Sequence, residues 1–191
     1  GIAYDPQNGF MYVADYNSNT VTVINGFNVT GNISVNSNPS GIAYDPQNGF
    51  IYVADYGSNT VTVINGTNVI CNISVSSNPS GIAYDPQNGF MYVFVNSWSN
   101  TVTVINGFNV KGNILLNGNE LSYGYIGFIA YNPQNGLMYV TDYLYGTISI
   151  ISTSITYMIN FTESGLPSGT SWSVTLNGTT VTSTTSTITF T

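Results

Sequence analysis

Histidine is absent from this chain, and Lys111 is its only basic residue; against eight Asp and Glu, this gives a formal net charge of −7 over 191 residues. Each absence removes a class of function. Displacing counterions from phosphates takes several Lys or Arg, so nucleic-acid binding is excluded, and attraction to anionic membrane surfaces fails on the same ground. Histidine-based acid–base, triad and metal chemistry has no residue to perform it. Cys71 stands alone, so no disulfide forms within the chain. It takes the place that Gly31 and Gly112 hold in neighbouring repeats, which suits a small, half-buried side chain or one half of an intermolecular disulfide. No run reaches the roughly 18 apolar residues of a membrane-spanning helix, and no secretory leader is evident. With Gly1 at the onset of a strand, the chain reads as starting at a mature or truncated end.

Charged residues make up 5% of the chain, where an ordinary soluble domain has about 25%. Polarity is therefore carried by Asn, Ser, Thr and Gln, beside 42% hydrophobic residues and fifteen tyrosines that supply a core. Such a chain suits a harsh, acidic, extracellular setting, because protonating its few carboxylates breaks few ion pairs. Its stability is then expected to depend little on pH.

What is present is repetition. GIAYDPQNGF begins at Gly1, returns unchanged at Gly41 and Gly81, and recurs as FIAYNPQNGL from Phe128. Residues 1–40 and 41–80 differ at six positions (Met11/Ile51, Asn17/Gly57, Phe27/Thr67, Thr30/Ile70, Gly31/Cys71, Asn36/Ser76), so the unit is 40 residues long. Within a unit, strands are predicted at Ile2–Tyr4, Met11–Ala14, Thr20–Ile24 and Asn32–Val35, where Tyr, Val, Ile and Thr dominate. Turn chemistry separates them: Asp5-Pro6-Gln7-Asn8-Gly9, then Asn17-Ser18-Asn19, then Asn25-Gly26, with Asn38-Pro39-Ser40-Gly41 leading onward. No window sustains a 3.6-residue period, so no helix is expected.

Four strands per 40–45 residues is the period of a β-propeller blade. The first two strands are apolar at consecutive positions, as strands covered on both faces are, and the outer two alternate. A β-sandwich, the alternative, alternates in nearly every strand. Pro39 to Ile64, P-S-G-I-A-Y-D-P-x-N-G-x-x-Y-V-A-D-Y-x-S-N-T-V-T-V-I, resembles the YVTN-type β-propeller repeat of archaeal surface-layer and related secreted proteins. The likeness runs over about residues 1–152 and weakens in the fourth unit, where Asn132 replaces Asp and Thr147–Ile151 reads TISII. It implies a propeller, commonly of about seven blades, with a non-catalytic surface role, and it carries no catalytic residues over. The blades are then 1–40, 41–80, 81–127 and 128–156, four in all. They form an arc that belongs to a larger propeller or is covered by a partner or a neighbouring copy.

Two insertions break the repeat. Unit three gains one residue in the turn around Trp98, and the path into unit four lengthens by six residues through Glu120, Tyr123 and Tyr125. In a four-stranded antiparallel blade, the turn after strand two and the link to the next blade lie on one face. Trp98, Glu120, Tyr123 and Tyr125 are therefore expected to gather there with Asp142 and Tyr143, as a platform for sugars or a protein partner. The alternative is loop drift, with the aromatics packing locally.

Asp5, Asp45 and Asp85 recur in the first turn, and Asp15, Asp55 and Asp142 at the end of strand two. Calcium ligation is one reading, but an Asp capping its own turn explains each copy, so no metal or cofactor is expected. Six Asn-x-Ser/Thr sequons stand at Asn28, Asn32, Asn65, Asn72, Asn160 and Asn177. The first four fall on or beside the outermost strand, where a glycan would meet solvent.

Residues 157–191 break the pattern. Strands are predicted at Ile155–Phe161, Ser171–Leu176 and Ser186–Phe190, although Met158–Phe161 could instead complete the fourth blade. The run from Phe161 to Gly178 resembles a module of immunoglobulin-like type found repeatedly on surface proteins of acidophilic archaea. Only about 35 residues of it are present, short of a full sandwich of about 100. The expected function is that of a non-catalytic extracellular structural or adhesive protein. It would act through self-association, neighbouring surface proteins or glycans. A soluble binding module using the Trp98 and Glu120 face is the alternative, and a propeller hydrolase or lactonase comes third.

Overall fold

The computed structural model describes residues 1–96, 101–116, 127–142, 146–153 and 159–190, and no helix occurs among them. Two units separate, Gly1–Ser154 and Ile155–Thr191. The first is built of antiparallel four-stranded blades, each a meander: β1 (Ile2–Asp5) to β4 (Asn28–Ser34), β5 (Pro39–Asp45) to β8 (Asn68–Ser74), and β9 (Pro79–Asp85) to β12 (Asn109–Leu115). The strands between are β2 (Phe10–Asp15), β3 (Thr20–Asn25), β6 (Phe50–Asp55), β7 (Thr60–Asn65), β10 (Phe90–Val95) and β11 (Thr101–Asn106). The fourth blade contributes β13 (Ile129–Asn132), β14 (Leu137–Asp142) and β15 (Thr147–Ser152).

The fourth strand of the first three units starts earlier than the sequence suggests, in unit one at Asn28 and not Asn32. Gly26, at φ 58°, closes a tight turn directly after Asn25, and a bulge between Val23 and Ile24 carries the extra length. The first strand also begins earlier in blades two and three, at Pro39 and Pro79, through a bulge in blade two before Ile42.

Cores lie between blades, because each blade is apolar on both faces. Tyr12, Val21, Val23 and Ile33 of blade one pack on Ile42, Ile51, Val53 and Ile64 of blade two. The same positions meet at the next joint, Tyr52, Val61 and Val63 on Ile82, Met91 and Ile105. At the third, Tyr92, Phe94 and Val102 pack on Ile129, Met138 and Val140. One face of a blade thus always receives the opposite face of its neighbour.

Glycines let the inner strands close up. A Cβ on Gly41 would stand 2.1 Å from the Ser80 carbonyl oxygen, and one on Gly81 2.6 Å from that of Gly127. Only hydrogen fits there.

In the second unit β16 (Ile159–Thr162) pairs with β19 (Thr187–Phe190), around buried Ile188 and an edge-on Phe161–Phe190 contact. Because β16 is paired in this way, Ile159–Phe161 does not complete blade four. β17 (Trp172–Leu176) forms a hairpin with β18 (Thr179–Ser183) through Asn177-Gly178, and β18 is a strand the sequence reading passed over because Thr and Ser fill it.

Candidate functional site

The repeated first turn is built by its own side chains. Asp5 Oδ1 accepts the Gln7 amide at 2.8 Å, and Asn8 Oδ1 accepts that of Phe10. Asp45, Asp85 and Asn132 repeat the bond to Gln47, Gln87 and Gln134. These carboxylates cap their turns, as expected. Asn8 also donates to the Tyr12 hydroxyl, which donates across the joint to the Gly66 carbonyl oxygen at 3.0 Å. Tyr52 does the same to Gly107. Burial pushes Tyr52 up to about 12, so its proton stays in place for that bond. The ends of the Gln7, Gln47 and Gln87 side chains lie over Gly49, Gly89 and Gly136 of the following blade. No role for this Gln is read from the sequence; its return in every DPQNG and NPQNG copy is the available signal.

At the end of strand two the Asp does different work. Asp15 and Asp55 brace strand three: Thr22 Oγ1 lies 2.6 Å from Asp15 Oδ2, and Thr62 Oγ1 2.6 Å from Asp55 Oδ2. Each threonine also touches an outer-strand amide, Asn32 at 2.8 Å and Asn72 at 2.7 Å. A hydroxyl has one proton to give, so each chain is a directed relay from carboxyl to amide or the reverse. Asp55 is fully buried, its Oδ1 without a partner, and burial raises it to about 6 despite its bonds from Thr62 and Thr60. Burial also raises Asp45, against hydrogen bonds from Gln47 and Asn48. This amends the expectation of pH-independent stability, because both groups favour the acid side. In blade three Val95 takes the Asp position, and the buried hydroxyl of Thr101 is left without a partner.

The turn after strand two and the link between blades do share a face. Asn38 N donates to Asn19 Oδ1 at 2.8 Å, Asn78 N to Asn59 Oδ1 at 2.9 Å, and Ser37 N to Ser58 Oγ at 2.7 Å. Asn19, Asn38, Asn59 and Asn78 all hold positive φ, as short amide side chains can. Trp98, Glu120, Tyr123, Tyr125 and Tyr143 lie outside the described residues, and Asp142 is placed only by its backbone, paired with Thr147 as Asp15 is with Thr20.

What the structure does bring together there was missed by sequence. The rings of Tyr16 and Tyr56, from successive blades, stand 6.2 Å apart and tilted by 47°. Tyr16 borders a cleft of about 350 Å³ along the inner strands, walled by Ile2, Ile42, Ile82, Phe128 and the hydroxyls of Ser40 and Ser80. The cleft is mostly apolar, and Tyr16 is among its lining residues. The six sequon asparagines are all exposed. Asn32, Asn72 and Asn160 are tied to Thr22, Thr62 and Thr189. Among the described residues no group of three or more His, Cys, Asp or Glu lies together.

An NHL-repeat family model matches residues 36–64, the link and first three strands of blade two. No curated protein matches this chain. Among solved structures, Kuenenia stuttgartiensis hydrazine synthase superposes with a TM-score of 0.62 at 20% identity, over 83% of this chain and 51% of that one. Virginiamycin B lyase from Staphylococcus aureus gives 0.58 at 15% identity, over 82% and 56%. A chain of the mitotic checkpoint complex gives 0.63 at 9%, over 81% and 49%. At such identities the likeness is one of fold, and the chain spans about half the length of these structures. This chain is a β-propeller repeat protein.

Proposed function

We propose that the chain is a non-catalytic extracellular protein of the cell surface, structural or adhesive, acting through self-association and through contacts with neighbouring proteins or glycans. One observation carries this reading: among the described side chains, the carboxylates of blades one to three, Asp5, Asp15, Asp45, Asp55 and Asp85, are taken up in turn caps and Asp–Thr–Asn relays. The outer strands β4 and β8 carry no charge, only amides and hydroxyls beside Val29, Val69 and Ile70, and Lys111 on β12 is the one charged side chain of the described outer strands. Such a surface suits neutral partners, and it fits the resemblance to surface-layer repeats. The second unit, on this reading, belongs to an immunoglobulin-like surface module.

The test is fractionation of the native source, followed by the intact mass of the recovered polypeptide. Recovery with the cell envelope, with hexose added at exposed sequons, is expected; recovery of unmodified chain from the cytosol would overturn the proposal. A second reading, a soluble binding module, is favoured by the Tyr16–Tyr56 pair, of which Tyr16 lines the inner cleft. A neutral oligosaccharide that quenches tyrosine fluorescence, and stops doing so in Tyr16→Ala, would favour it.

A further inference from the structure

Of the four sequons in the blades, three have part of their chemistry committed to the fold. Joining a sugar to Asn uses its Nδ2 and an enzyme that grips the hydroxyl two residues further on, so both groups must be within reach. Asn32 and Asn72 end the relays from Asp15 and Asp55, where Thr22 and Thr62 Oγ1 stand 2.8 and 2.7 Å from the amides. Each threonine has one proton, and when its Asp is ionised that proton goes to the carboxylate 2.6 Å away. The amide then turns its Nδ2 to the threonine oxygen, which ties up the atom a sugar needs. At Asn28 the hydroxyl is spent instead. Thr30 Oγ1 donates to the Val23 carbonyl oxygen at 3.0 Å, inside the bulge between β3 and β4.

Asn65-Gly66-Thr67 is free at both ends. Asn65 is the last residue of β7, Gly66 turns the chain at φ 58°, and Thr67 precedes β8, which begins at Asn68. The Asn65 and Thr67 side chains are exposed and bond to nothing among the described residues. The backbone between them is fixed, because the Gly66 carbonyl oxygen accepts from Tyr12 across the joint at 3.0 Å. Blade two is packed by a neighbour on either face, so this exposure belongs to the end of a hairpin and not to an open blade face.

This tip departs from its copies at one residue. Blades one and three carry Asn25-Gly26-Phe27 and Asn106-Gly107-Phe108, the same turn without a hydroxyl. In blade three the phenylalanine is used: its ring stacks on Phe50 of the blade before, with centroids 5.9 Å apart and planes inclined by 16°. Thr67 forgoes that stack over Phe10, the counterpart of Phe50, and completes an acceptor motif where a ring would crowd it.

We infer that Asn65 is the sugar-bearing residue of the blades, modified by transfer from an oligosaccharide carried on a polyprenyl diphosphate. Nδ2 attacks the anomeric carbon as the bond from that carbon to the diphosphate oxygen breaks. The diphosphate leaves with the electron pair, and Nδ2 gives up one proton to a base of the transferase. The glycan then stands beside the first turn of blade one, at the opposite end of the strands from the Tyr16–Tyr56 pair. The inference rests on the extracellular reading proposed above and narrows its exposed sequons in the blades to one.

The test is to recover the chain from its native source, digest it with chymotrypsin and read the mass of each sequon peptide. Asn65 is expected to carry the glycan, with Asn28, Asn32 and Asn72 bare. Made in the same host, Asn65→Gln and Thr67→Phe should each lose that glycan, the second by restoring the residue of the other blades, and Thr67→Ser should keep it. A bare Asn65, whether sugar sits on Asn32, on Asn72 or nowhere, would overturn the inference, as would a Thr67→Phe chain still modified at Asn65. The extracellular reading fails separately: recovery from the cytosol sinks both, whereas a chain in the envelope with its sugar elsewhere sinks only this one.

Discussion

Replacing Asp55 by Asn tests whether the joints store a proton. The carboxyl is fully buried between blades one and two, with Oδ2 held by Thr62 and Thr60 and Oδ1 without a partner. Raised from an ordinary 3.8 to about 6, it binds its proton more tightly in the folded chain than in the unfolded one. The stabilisation is therefore full below the unfolded value and is lost as pH rises through 6. The span corresponds to about 3 kcal/mol at most, since each tenfold change in proton affinity is about 1.4 kcal/mol. Asp45, also raised, adds in the same direction.

In a unit of this size about 3 kcal/mol moves the melting temperature by roughly 6–12 °C. Wild type should accordingly melt higher at pH 4 than at pH 7. Asp55→Asn keeps the acceptor for Thr62 but places an NH2 where Oδ1 has no partner, so at pH 4 it should be less stable by about 1–2 kcal/mol. At pH 7 that gap should close or reverse. Thermal melting of both chains from pH 3 to 8 decides the matter. A wild-type melting temperature that is flat or rises from pH 4 to 7 would refute the argument, as would an Asn variant that keeps the wild-type slope.

Thr101→Val should stabilise the chain by about 1 kcal/mol in denaturant unfolding, because it removes a buried hydroxyl that lost its carboxylate when Val95 took the Asp position. Gly41→Ala should cost about 2–4 kcal/mol by the same measurement, since its Cβ would fall 2.1 Å from the Ser80 backbone oxygen and the blades would have to part. Gly31→Ala, with nothing within 4 Å, is the control and should be close to neutral.

The blade was legible because its turns are spelled in the side chains that build them: Asp5 and Asn8 cap the turn in which they are read, and Asn-Gly supplies positive φ. Strand order followed from a 40-residue period, and the shared face of the turn after strand two and the link between blades from strand parity alone. The joints were less legible, because what joins blades is 54 residues away: nothing local announces that Tyr12 donates to Gly66. Nor does the sequence show which copies are covered, since Ile2 and Ile42 sit in identical decapeptides and differ only in their exposure. The start of β4 was misplaced because Asn, Thr and Gly on an outer edge give no apolar signal.

Near-identical blades raise a problem of order, because the outgoing face of blade one matches the incoming face of blade three as well as that of blade two. Short links answer it for the first two joints. Asn36 donates to Thr60, Ser37 to Ser58 and Asn38 to Asn19, so each link is stitched to both blades it connects and the nearest partner wins on closure entropy. That advantage shrinks before blade four, where the link is six residues longer. There the side chains change instead. Phe94 takes the position of Ala14 and Ala54, and Gly127 the position of Ser40 and Ser80, where a Cβ would come within 2.3 Å of the Phe94 ring. A large residue against a glycine replaces a small one against a serine. Blade three therefore fits blade four and would clash with the serine-bearing edge of blade two, so shape enforces the order that tether length no longer does.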